Sequence, residues 1–245
     1  MLSAHALMLA GRLDGVSASL RPGDVTAICG PNGAGKSTLL SCLAGLLECD
    51  AGEVTLDGDA LSSLAPQRRA RAIGYLPQTP EVAWDVSVEV LVALGRIPWR
   101  DAPESNAQSA IDAAISALDL DGFRHRPVSQ LSGGERARAL MARVLATQPQ
   151  WLLAAEPLAN LDLAHSAALV ARFREQAGQG RGVILVLHNL ATAMNYADRV
   201  LVLDRGRLAA DGPPDKALSE EVISSVWGVD ACWLGEKDSL ALMVR

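Results

Sequence analysis

Long apolar runs are missing from this chain. The longest present, such as residues 183–187, and runs like 200–203 have the length of strands and fall far short of the roughly 18 to 20 residues that span a bilayer. The opening Met1-Leu2-Ser3-Ala4-His5 lacks the basic region and apolar core of a signal peptide, so the chain is expected to be cytoplasmic and to meet a membrane only through a partner. An excess of positive charge is missing too. The formal net charge is −6, which argues against nucleic acid as the main partner because phosphate backbones select basic surfaces. Four cysteines (Cys29, Cys42, Cys49, Cys232) have no C-x-x-C spacing, so no metal cluster is indicated and buried, reduced thiols are expected. Aromatic residues are scarce, at 4%, and the five tryptophans are scattered rather than striped. What is present, 245 residues at 49% hydrophobic content, suffices to bury a full core as one large or two small domains.

Against that background one stretch stands out. Gly30-Pro31-Asn32-Gly33-Ala34-Gly35-Lys36-Ser37-Thr38 has the spacing G-x-x-x-x-G-K-S. It follows the apolar run 25–29, which reads as a buried strand, and precedes leucines and alanines at helical spacing over 36–47. Glycines let consecutive N–H groups converge on one phosphate, and the helix adds its positive N-terminal end. Lys36 is then placed to reach the β- and γ-phosphates of a nucleoside triphosphate, and Ser37 to hold Mg²⁺.

Residues 1–29 read as two or three strands, 53–56 as a half-exposed strand closed by the hairpin turn Asp57-Gly58, and 72–76 as a strand stopped by Pro77. From about 79 to 148 strand signals vanish, and helices are expected at 87–94, 105–118 and 134–146. Strands resume at 151–155, 183–187 and 200–204, separated by helices at 163–177 and 189–197, before a last hairpin and a short helix at 219–226. Such alternation implies a parallel sheet with helical crossovers, interrupted by a helical lobe.

A second glycine turn, Leu131-Ser132-Gly133-Gly134-Glu135, opens the helix at 134 and is a second anion site about a hundred residues from the first. One nucleotide does not easily need both from one chain. The economical inference is a two-fold dimer in which each subunit closes its Ser132–Gly134 turn onto the triphosphate held by Lys36 of its twin.

These features together resemble the ATP-binding subunit of ABC transporters, over nearly the whole chain. The resemblance implies an α/β P-loop NTPase of ABC type: a mostly parallel core sheet with an antiparallel β subdomain (1–78 and 151–245) and a helical signature subdomain (79–150). It implies ATP and Mg²⁺ as ligands. Gln78 stands where the family has its loop glutamine, binding the metal with Ser37. Glu135 takes the place of the usual glutamine in the L-S-G-G-Q signature. Glu156, before Pro157, follows strand 151–155 as the catalytic glutamate does. Ala159-Asn160-Leu161-Asp162 resembles the loop that crosses the dimer interface, and His188 stands at the switch histidine. Lys36, Gln78, Glu156 and His188 are thus the expected catalytic set for attack of water on the γ-phosphorus.

Two departures stand beside these matches. The aspartate that normally precedes the glutamate is Ala155, which implies an ATPase that is weakened, with a raised magnesium requirement. No aromatic residue in 7–13 is available to stack on adenine, so Arg12 or an apolar neighbour is expected to cover the ring. Finer resemblance, in residues 86–96 and around Val226-Trp227-Gly228-Val229, points to the importers of iron–siderophores, haem and cobalamin. It implies a polytopic permease contacted through Gln78 and residues 79–99, Trp84 and Trp99 included, and a periplasmic or surface substrate-binding protein reached through the permease. The location implied is peripheral, on the cytoplasmic face of the cell membrane. The competing readings are an ABC-type ATPase without a membrane partner and a catalytically impaired, nucleotide-responsive subunit.

Overall fold

Three strands open the chain: β1 (Leu2–Leu9), β2 (Leu13–Leu20) and β3 (Val25–Cys29), the last with every residue buried. The structure, a computed structural model, describes residues 1–78, 85–159 and 161–245. Helix α1 (Lys36–Leu43) follows the glycine loop. It is four residues shorter than the leucine pattern predicts. Gly45, at φ +67°, donates to Cys42 O at 2.9 Å, and Leu46 donates to Ser41 O at 2.9 Å. That pair of bonds is a Schellman ending, which glycine supplies without strain, and it leaves Leu46 and Leu47 exposed.

Strands β4 (Ala51–Leu56) and β5 (Asp59–Ala60) make the expected hairpin at Asp57-Gly58. Sequence reasoning missed α2 (Pro66–Ala72), which has proline in its first turn and uses Ala72, so that β6 is Ile73–Leu76. Between β6 and the next strand lie α3 (Val88–Ala93), α4 (Glu104–Ala117) and α5 (Gly133–Ala146), each within a residue or two of expectation. Then β7 (Trp151–Ala155), α6 (Leu163–Gly178), β8 (Gly182–Val186), α7 (Leu190–Tyr196) and β9 (Arg199–Asp204) alternate, and β10 (Arg207–Gly212) closes a hairpin. The chain ends with α8 (Pro214–Ala217), α9 (Glu220–Trp227) and a two-stranded pair, β11 (Ala231–Leu234) and β12 (Ala241–Val244), which was not anticipated.

Two sheets organise these elements. One has the order β2-β1-β4-β5 and is antiparallel; the other has the order β10-β9-β3-β8-β7-β6 and is parallel from β9 to β6. Leu39, Leu40, Cys42 and Leu43 of α1 share a core with Leu2 and Leu7 of β1 and with Ile28, Leu153 and Val186 of the parallel sheet. Helix α1 is therefore clamped between the sheets. The opposite face of the parallel sheet joins a second core with α3, α4 and α5. Burying both faces of a parallel sheet is what its near-continuous apolar strands require.

Candidate functional site

The order β3-β8-β7-β6 sets the site. At the carboxyl ends of these four neighbouring strands stand, in the same spatial order, the glycine loop, His188, Glu156 and Gln78. Open parallel sheets bind their ligands at that end. A cavity of about 510 Å³ there is lined by Arg12, Asn32, Gly33, Ala34, Gly35, Lys36, Ser37, Thr38, Gln78, Glu156 and His188.

Loop closure depends on backbone that only glycine takes easily. Gly35 caps α1 at φ +99°, and a Cβ there would fall 2.6 Å from the Arg12 carbonyl oxygen. Lys36, 6% exposed, folds back so that Nζ donates to Gly30 O at 2.8 Å and Pro31 O at 2.9 Å. Gly30 and Pro31 thus serve the loop through their carbonyls rather than by lining the cavity. Burial pulls the Lys36 ammonium below its ordinary pKa, while Glu156 and the neighbouring Cys29 pull it back up. Cys29 itself is pushed up to about 12 by burial and stays a thiol.

Glu156 is gripped on both oxygens. His188 Nε2 lies 2.7 Å from Oε1, and Gln78 Nε2 donates to Oε2 at 2.5 Å. Its backbone sits at φ +50°, a left-handed conformation uncommon for glutamate, and such strain collects at functional sites. Gln78 spends its amide nitrogen on this bond, which leaves its oxygen for a cation.

The remaining expected residues gather elsewhere. Ser132, Gly133, Gly134, Glu135 and Asp162 are not among the lining of this cavity. Ser132 caps α5 and closes a capping box: Glu135 N donates to Ser132 Oγ at 3.3 Å, and Ser132 N donates to Glu135 Oε2 at 2.8 Å. Asp162 caps α6, accepting from His165 N and facing His165 Nδ1, both at 2.8 Å. A Cβ on Gly134 would fall 2.1 Å from the His165 ring. His165 therefore joins the two turns, a role not foreseen from the sequence, although its place three residues after a capping aspartate was a readable cue. Asn160 and Trp84 lie outside the described residues. Trp99, expected among the permease contacts, is half-buried: its Nε1 donates to Thr147 O at 2.8 Å, and Arg71 stacks on its ring at 4.3 Å.

The family described as ABC transporter matches residues 13–159, more than half of the chain. The chain belongs to the ABC transporter family. Among its relatives, the hemin import ATP-binding protein HmuV of Rhodococcus jostii (strain RHA1) is 43% identical over 217 residues, covering 88% of this chain and 74% of that protein. HmuV of Nocardia farcinica (strain IFM 10152) is 44% identical over 216 residues, covering 88% and 75%. The ADP conformation of MJ1267, an ATP-binding cassette of an ABC transporter, superposes with a TM-score of 0.82 at 26% identity, covering 93% of this chain and 97% of that one. The ABC assignment makes the chain an ATP-binding, ATP-hydrolysing protein, and it explains why the glycine loop, a histidine, a glutamate and a glutamine share one sheet edge.

Proposed function

We propose that this chain is the ATP-hydrolysing motor of an importer, working as a two-fold dimer beneath a permease and serving haem, with iron–siderophore or cobalamin as the alternative cargoes. The observation that carries the reading is Glu156, held between Gln78 and His188 across the cavity from Lys36. In that position Glu156 orients and deprotonates the attacking water. Lys36 and the loop N–H groups stabilise charge on the γ-phosphate, and His188 holds that phosphate. Haem comes into the reading from the relatives named hemin import ATP-binding protein.

The donors at the cavity suit magnesium. Ser37, Gln78 and Glu156 line the cavity and offer a hydroxyl, an amide oxygen and a carboxylate, the hard oxygens such a cation takes alongside phosphate and water. They fit it, with Ser37 and Gln78 as the holding pair. Bound there, magnesium would neutralise charge between the β- and γ-phosphates. Buried Ala155 contributes no side-chain oxygen, which favours a second reading, a nucleotide-responsive subunit with little turnover.

Among the described residues no helix is long and apolar enough to cross a membrane, so contact with a bilayer would run through a partner. Support for a permease comes from Val90, Leu94 and Ile97, which are 48%, 40% and 61% exposed on successive turns of α3 and the 3₁₀ helix after it. They form an apolar stripe one helix face wide.

Phosphate release separates the two readings. Glu156→Gln is expected to lower the rate roughly 10²- to 10⁴-fold while leaving ATP affinity within a few-fold. A parent protein no faster than this variant would favour the nucleotide-responsive subunit. Capture of the tagged chain from solubilised membranes is expected to bring down a polytopic protein, and Ile97→Glu to release it.

A further inference from the structure

Away from the nucleotide cavity, the C-terminal end of α1 opens onto a second cavity of about 550 Å³, whose lining includes Cys42, Leu46, Glu48, Cys49 and Arg69. There Cys49 Sγ lies 3.1 Å from Cys42 Sγ and donates to it. A disulfide needs a sulfur separation of about 2.05 Å, so the two thiols stand roughly 1 Å from bonding distance. The chain between them can supply that movement. It is the exposed turn Leu46-Leu47-Glu48 after Gly45, with neither helix nor strand to hold it.

The two sulfurs have different characters. Cys42 is 2% exposed, and burial, with the bond from Cys49, pushes its thiol up to about 12. Cys49 is half-buried and faces the cavity, so it is the sulfur an oxidant meets first. Neither thiol has a part in the ATP chemistry proposed above. Cys29 and Cys232, the other two cysteines, are buried.

We propose that Cys42 and Cys49 are a dithiol modification site, oxidised reversibly to a disulfide by hydrogen peroxide. Cys49, as thiolate, attacks one peroxide oxygen and breaks the O–O bond. The oxygen that leaves takes up a proton and departs as water, and Cys49 becomes a sulfenic acid. The Cys42 sulfur then displaces the sulfenic hydroxyl, which leaves as a second water with the Cys42 proton. Two thiols and one hydrogen peroxide give one disulfide and two waters, and an external dithiol reverses the change. The product ties the last turn of α1, the helix that begins with Lys36, to the turn before β4.

Treating the full-length protein with one equivalent of hydrogen peroxide tests this. The expected result is a mass loss of about 2 Da, disappearance of two titratable thiols, a linked peptide pair containing Cys42 and Cys49, and full reversal by dithiothreitol. Cys49→Ser, at a half-exposed position that should fold normally, is expected to abolish the 2 Da loss. Cys42→Ser is expected to leave Cys49 as a dimedone-reactive sulfenic acid about 16 Da heavier. A stable sulfenic or sulfinic acid on Cys49 in the parent protein would overturn the proposal. So would disulfide-linked dimers, or an unchanged thiol count while Cys49 still alkylates.

Discussion

Ala155, buried at the end of β7, is the departure from the family pattern that bears on the proposed magnesium site. Along β7 the side chains alternate, with Trp151, Leu153 and Ala155 in the core shared with α1 while Leu152 and Ala154 face the helical side. A carboxylate at 155 would therefore point toward the helix whose first turn carries Ser37. Ala155→Asp is expected to lower the magnesium concentration for half-maximal phosphate release by roughly 10- to 100-fold, the worth of one supporting group at a metal site. It carries a structural cost as well. An added carboxylate at a position 4% exposed has no partner until cation and nucleotide arrive. The melting temperature without ligand should fall by an amount corresponding to about 1–3 kcal/mol and recover on adding magnesium and ATP. A folded variant with an unchanged magnesium titration would remove position 155 from the site. Glu156, one residue on, shows what a list of residue types hides. Its identity and its place after a strand are legible, but its left-handed backbone and its double grip by Gln78 and His188 exist only once four strands lie side by side.

Elements were legible where local chemistry decides them. The strand–loop–helix around Lys36, the strands of the parallel sheet and the helices between β6 and β7 all announce themselves by period and caps. Elements decided by tertiary contact were not. Helix α2 has no buried residue to give it an apolar rhythm, and the β11–β12 pair is clasped by Asn195, which donates to Leu240 O and accepts from Leu240 N, both at 2.8 Å. The end of α1 was misjudged because a leucine pattern runs past a glycine whose bonding ends the helix. The signature turn shows local chemistry at work, since Glu135 completes the capping box that a glutamine would equally complete. Glu135→Ala is expected to remove about 0.5–1 kcal/mol, a melting shift of a few degrees, while Glu135→Gln stays near the parent at neutral pH. The bond from Ser132 N–H holds the Glu135 carboxyl below its ordinary pKa. Its contribution is thus complete above the unfolded value of about 4.3 and fades as pH falls through the lower folded value. Thermal melts from pH 7 downward should show the parent losing ground to the non-titrating glutamine variant in the acid range. Parallel melting curves across that range would mean the carboxylate carries no weight in the cap.

At the scale of the whole molecule, the phosphate loop and the signature turn lie apart in one chain, as the proposed dimer requires. Lys36 and its neighbours line one cavity, while Ser132 and Gly133 are exposed on a turn braced through His165 to Asp162. Beside Asp162, Leu163 is 88% exposed, an apolar side chain that nothing among the described residues covers. A two-fold axis makes a surface self-complementary and closes both sites at once, because whatever one subunit offers it also receives. Closure would follow the nucleotide, since a ligand shifts an equilibrium only toward the state that binds it better. Two singly substituted proteins distinguished by tag, Ser132→Cys and Asn32→Cys, test this when mixed in a background carrying Cys49→Ser and the slowed Glu156→Gln. With ATP present, a short bis-maleimide is expected to link the two tags, and omitting ATP should reduce the product severalfold. Linkage between identical tags alone, or a mixed product indifferent to ATP, would mean that the signature turn does not meet the phosphate loop of a second copy.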